Sequence, residues 1–191
     1  MRLKMKDFVL LALLTALYII VYFVAMMIIS LMGPFGHAIS PGVCGLLSGA
    51  ILIFISRKIG KMWQFTLMEL IIMGVFALMG AGYLPWFITS MIGAVLADVI
   101  ASTSNKPSVL KVAIASGLIH VGNALGGIIP ACFFAEQYMN EWIARGQKPD
   151  QMLEMVKATQ GVMGILGTVI TFVLSVIGVY IGYSILKGHL K

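Results

Sequence analysis

The sequence predicts an all-α integral membrane protein with six transmembrane helices and both termini in the cytoplasm. Three observations predict it. First, 60% of the 191 residues are hydrophobic and only 10% are charged, whereas a soluble domain carries roughly 25% charged residues. Second, the apolar residues fall into six runs, near 8–32, 37–56, 63–81, 84–101, 109–134 and 161–186, each close to the ~20 residues that cross a bilayer. Third, the basic residues divide unevenly between alternate loops. Arg2, Lys4, Lys6, Arg57, Lys58, Lys61, Lys106, Lys111, Lys187 and Lys191 lie on the side of the termini, and only Arg145, Lys148 and Lys157 lie opposite. Cytoplasmic loops are the ones enriched in Lys and Arg, which sets the orientation. The net charge of +6 is therefore a topology signal, and no nucleic-acid module is visible. Residues 1–191 read as a single six-helix membrane domain.

The first run follows a basic segment and exceeds the 7–15 residues of a signal-peptide core, so it reads as a retained helix. Gly33-Pro34-Phe35-Gly36 stops it, because Gly and Pro together favour a turn. The second run carries Pro41 near its start and ends in the basic loop Arg57, Lys58 and Lys61. Trp63 opens the third run, and Gly82-Tyr83-Leu84-Pro85-Trp86 reverses the chain into the fourth. A polar turn over 102–108 leads to the fifth run. Between the fifth and sixth, the stretch 136–160 repeats apolar residues at helical spacing: Tyr138, Met139, Trp142 and Ile143, then Met152, Met155, Val156 and Thr159. Pro149-Asp150 suits a helix start, with an acid favourable in the first turn. Two short amphipathic helices are expected there, either as a lid over the outer mouth or as a pair resting on the bilayer surface.

The fifth run is the least ordinary. His120 and Asn123 sit near its middle among glycines, alanines and a serine, and three residues apart they share one helix face. Neither faces lipid without cost. Small neighbours let another helix, or a ligand, come close to the backbone. The run is either a packing helix with internally bonded polar groups or one wall of a solute site. Other polar positions belong to the outer half: His37 and Ser40, Tyr83 and Trp86, Thr89 and Ser90, and a stripe of Thr168, Thr171 and Ser175. Singly these are weak, since hydroxyls in membrane helices often bond their own backbone and Tyr and Trp often anchor at interfaces. Together with His120, Asn123, Tyr138 and Trp142 they suggest a polar-lined cavity under the outer loops.

Two acids interrupt the spans. Glu69 lies about two turns into the third from its cytoplasmic end, and Asp98 near the cytoplasmic end of the fourth. A structural ion pair with Arg57, Lys58, Lys61 or Lys106 is the expected role of each, with a proton-coupling carboxylate or a docking contact as the other readings. Cys44 and Cys132 lie in apolar runs without a CxxC spacing, and buried free thiols are expected. No serine-hydrolase, HExxH or GxxxxGK[ST] motif is present, so neither an enzyme nor a resident cofactor or metal is expected.

Ala12 and Ala16 in the first run form an AxxxA pair on one helix face, a spacing that permits close helix approach. With six spans and about 190 residues, the chain resembles the substrate-binding S component of an energy-coupling factor (ECF) vitamin transporter. Two strings, SPGVCGLLSGAI at 40–51 and GAVLADVI at 93–100, are similar to the Trep_Strep branch of such proteins over nearly the full length. The resemblance implies an ECF S-component-like bundle capturing a vitamin-like or cofactor-like small molecule near its outer surface. It implies that Ala12 and Ala16 meet a T component, and that two ATPase subunits supply the energy. It implies substrate contacts from His37, Tyr83, Trp86, His120, Asn123 and the 136–160 stretch. Met139, Met152, Met155 and Met163 beside aromatic residues suit a flat, partly apolar ligand, since the thioether adapts to irregular surfaces. Two other classes stay open: a stand-alone proton-coupled transporter using Glu69 or Asp98, and a membrane enzyme or accessory subunit.

Overall fold

A computed structural model describes residues 3–102 and 107–188. Arg2, Lys106 and Lys191 of the basic set, and Asn105 in the polar turn, lie outside the described residues. The described chain is helical throughout: α1 Met5–Ser30, α2 Pro34–Lys58, α3 Gln64–Phe76, α4 Leu84–Ala101, α5 Val109–Phe133, α6 Ala135–Ala144, α7 Pro149–Thr159 and α8 Gly161–Leu186. Six segments are long and apolar enough to cross a membrane, α3 counting together with a π-helical turn at Ala77–Ala81. The protein is thus an all-α, multi-pass membrane protein. The two short helices between α5 and α8 are amphipathic, with Tyr138, Met152, Val156 and Thr159 buried.

Local chemistry explains the boundaries. Gly33 alone turns the chain at φ +68°, a left-handed conformation that glycine adopts without steric penalty. Pro34 then fits the first turn of α2, where a missing N–H costs nothing. Deeper in α2, Pro41 cannot bond the carbonyl of His37, and the Ser40 hydroxyl donates to that carbonyl instead at 3.2 Å. Helix α3 has no capping side chain of its own, because the preceding Trp63, at a left-handed φ of 74°, carries no side-chain acceptor. Asp98 of α4 caps it from across the interface. Its carboxylate accepts from the Phe65 and Thr66 amides at 3.2 and 2.8 Å, from the Thr66 hydroxyl at 2.7 Å and from the Ser102 hydroxyl at 2.7 Å.

Helices α2 and α5 form the centre, with 67% and 61% of their most apolar stretch buried, against 22% for the peripheral α1. The most extensive packing joins α2 to α8, and glycine permits it. A Cβ on Gly45 would lie 2.2 Å from the Ser175 Oγ, and one on Gly49 would lie 2.0 Å from the Gly178 carbonyl carbon. The crossing of α4 and α5 is built alike: a Cβ on Gly93 would come within 2.5 Å of the Leu118 carbonyl oxygen. The strings at 40–51 and 93–100 are therefore contact surfaces, with Asp98 as a tertiary helix cap.

Three expectations are corrected here. Neither Glu69 nor Asp98 is ion-paired among the described residues. The salt bridges run instead from Lys61 to Asp7 and from Arg145 to Glu141. Cys44 is buried, but Cys132 is exposed at the outer end of α5. The hydroxyl stripe of α8 is taken up in backbone bonds and helix contact: Thr168 and Ser175 bond their own backbone at Gly164 and Thr171, while Thr171 packs against Gly42.

Candidate functional site

One group of polar side chains within the spans, Tyr18, Glu69, Trp86, Ser90, His120 and Asn123, converges between α1, α3, α4 and α5. Asn123 is the hub. Its Nδ2 donates to Glu69 Oε1 at 3.0 Å and to the Ile119 carbonyl at 3.1 Å. Its Oδ1 accepts from Trp86 Nε1 at 3.1 Å and from the Ser90 hydroxyl at 3.2 Å. All of its amide hydrogens and both carbonyl lone pairs are thereby committed. One turn below, His120 Nδ1 lies 2.7 Å from the Ser116 carbonyl, an acceptor only, so that nitrogen carries the hydrogen. In the neutral ring Nε2 then accepts from the Tyr18 hydroxyl at 2.9 Å. Tyr18, Tyr22, Cys44, Glu69, His120 and Asn123 enclose a void with about 10 Å³ of water-accessible volume.

Glu69 is the unexpected member. It is fully buried and directly bonded to Asn123, not on the far side of the membrane from it. Its place two turns into the third run does not reveal that meeting, which tertiary packing sets. Tyr18 and Tyr22 were also missed. Four residues apart on one face of α1, they look in sequence like ordinary apolar or interfacial positions. The spacing was the available signal.

A second, outer cluster lies above the first. Tyr83, Tyr138 and Trp142 pack ring against ring, with centroids 5.5 Å apart for Tyr83–Tyr138 and 5.9 Å for Tyr83–Trp142. Met152 and Val156 of α7 join them. Burial pushes the Tyr138 phenol up to about 12, with Tyr83 adding to the effect, so at neutral pH it is a protonated donor. The buried Trp142 Nε1 has no hydrogen-bond partner among the described residues. Arg145 fastens this cap to the outer end of α3: its guanidinium donates to the Gly80 and Gly82 carbonyls at 3.2 and 2.9 Å and stacks 5.3 Å from the Trp142 ring. Gln160 Nε2 ties the other end to the Ala131 carbonyl of α5 at 2.7 Å.

Trp86 joins the two clusters. Its ring packs beside Phe76 at 5.4 Å and against the outer aromatic group, while its N–H holds Asn123. It also lines a hollow of about 230 Å³ shared with Met73, Tyr83 and Phe87. Of the residues singled out from sequence, the structure brings His120, Asn123 and Trp86 into the inner cluster and Tyr83, Tyr138 and Trp142 into the outer one. His37 is exposed at the outer end of α2, and Thr168 and Thr171 lie in or beside the α2–α8 contact, so these three join neither. Ala12 and Ala16 are exposed on α1, on the side away from the bundle.

The family described as "Hypothetical bacterial integral membrane protein (Trep_Strep)" has a model that matches residues 5–191. The chain belongs to the Trep_Strep family. No curated protein and no solved structure matches this Trep_Strep chain.

Proposed function

We propose that this Trep_Strep protein is the substrate-capturing membrane subunit of an ATP-driven, ECF-type uptake transporter, handling a vitamin-like or cofactor-like small molecule. The observation that carries the reading is a polar cluster inside the spans, roofed on one side by two short helices that are latched to α3 and α5. Such an arrangement suits capture and enclosure of a solute. In this reading the partners are a T component and two ATPase subunits within the lipid bilayer, and nucleic acid has no part. The bare Ala12–Ala16 face of α1 is the surface offered to the T component, since small residues allow backbones to approach. Purification from its native membrane should bring down two ATPase subunits, and Ala12→Trp or Ala16→Trp should abolish uptake while the isolated subunit still binds its solute. Unimpaired uptake with both substitutions would remove the reading.

A second reading is favoured by one observation. Glu69 is an acid buried in the same cluster with no cationic partner among the described residues, as a proton-coupled transporter would require. Uptake into vesicles that lack ATP, driven by an imposed proton gradient and lost in Glu69→Gln, would select it.

A further inference from the structure

We propose that the void beside Glu69 is a binding site for one small monovalent cation, either a free ion such as Na⁺ or the primary ammonium head of a solute. The argument begins with a count of donors. Around Glu69 and Asn123 the Trp86 N–H, the Ser90 hydroxyl and both Asn123 amide hydrogens are already used. The His120 N–H is used on Ser116. The Tyr22 hydroxyl and the Cys44 thiol line the same void, yet neither reaches Glu69 Oε2, which is buried and has no partner among the described residues. No Lys, Arg or His nitrogen lies within 4.0 Å of that carboxyl among them.

A buried carboxyl with one empty oxygen is costly, because desolvation of the group is compensated on one side only. An occupant that donates or carries positive charge removes that cost, and an anion or a pure acceptor adds to it. Size narrows the choice. A volume of about 10 Å³ holds roughly one water-sized sphere, which Na⁺ or an ammonium group matches. Charge narrows it again. One carboxylate balances a single positive charge, and a divalent ion would leave a second charge buried without compensation. The rings of Tyr18 and Tyr22 bound the same space, and aromatic rings attract cations.

Access comes from the outer side. Asn123, which lines the void, is partly exposed and is bonded to the partly exposed Trp86, which lines the 230 Å³ hollow. An ammonium head in the void would place the rest of a solute in that hollow once the indole swings away. This form of the proposal rests on the solute-capture reading, whereas the free-ion form does not.

The full chain, purified in detergent, is melted at neutral pH and fixed ionic strength in the chlorides of sodium, potassium, methylammonium and tetramethylammonium. Saturation of the site should raise the melting temperature in the cation that fits by about 5 °C or more over tetramethylammonium, which is too large to enter. Glu69→Gln keeps the shape and the acceptor for Asn123, and it should abolish that separation. A rise with sodium marks a free-ion site, and a rise with methylammonium alone marks an ammonium head. Equal melting in all four salts, or a separation that survives Glu69→Gln, overturns the proposal. If the variant does not fold, carbodiimide labelling of Glu69 in the native chain, read by peptide mass, gives the same decision. Labelling should slow in the favoured cation, and equal labelling in every salt overturns the site. ATPase copurification is unaffected by either result, so failure here is distinct from failure of the transporter reading.

Discussion

At the scale of single residues, the two intramembrane acids have the same chemistry and opposite surroundings. Asp98 accepts four hydrogen bonds, two of them from backbone amides in the first turn of α3. Anionic groups are stabilised there by the helix dipole and by otherwise unpaired amides. Asp98→Ala removes the cap from a buried helix start and should lower stability by about 1–3 kcal/mol, measured by thermal or denaturant unfolding. A melting point unchanged by Asp98→Ala would show that water replaces the cap. Sequence reading found both acids because charge is rare in an apolar run. It assigned them basic partners because basic residues abound in the neighbouring loops. Sequence does not reveal that α3 starts without a local cap, which is what draws Asp98 away from any lysine.

At the scale of elements, glycines decide which helices touch and which remain separable. The α2–α8 contact has no slack for a side chain at Gly49, where an added methyl would meet backbone on the opposing helix. Backbone yields less readily than a flexible side chain, so Gly49→Ala should cost more than the usual 1–3 kcal/mol of overpacking. The expected readout is a sharp loss of monodisperse protein in detergent. Gly74→Ala, with nothing within 4 Å of its added methyl, serves as the control and should behave as wild type. The cap works differently, held by a few polar contacts at its ends. Arg145→Ala frees the α3 carbonyls and should raise hydrogen exchange in Ala135–Ala144 while leaving α2 and α8 protected. Uniform protection across both variants would mean that apolar packing of Tyr138 and Met152 alone keeps the cap closed. The amphipathic pattern of α6 and α7 was readable because it repeats at helical spacing. The Thr168–Thr171–Ser175 stripe was equally regular, yet it marks a helix contact, since a small hydroxyl serves tight packing as readily as it serves a ligand.

At the scale of the whole molecule, the charge asymmetry predicts which side the cap occupies. Arg145, Lys148 and Lys157 all belong to α6, α7 and their joint, so that face should be outside. A membrane-impermeant thiol reagent should modify Gly146→Cys in intact cells and miss Asn105→Cys, in a background without Cys132. The reverse pattern would put the cap in the cytoplasm and remove the capture reading with it. Span number and location were legible because hydrophobic length and loop charge are properties of the chain itself. The meeting of Glu69 with Asn123 depends on tilt and depth, which only packing sets. One feature of that packing bears on how the protein is made. The central contact joins the second span to the sixth, so the groove of α2 stays unfilled until α8 has been made and enters the bilayer. Every earlier nascent intermediate exposes Gly42, Gly45, Ser48 and Gly49 without their partner. A chain truncated before Gly161 would carry that open seam permanently, and membrane proteases that survey unassembled helices would meet it as an orphan.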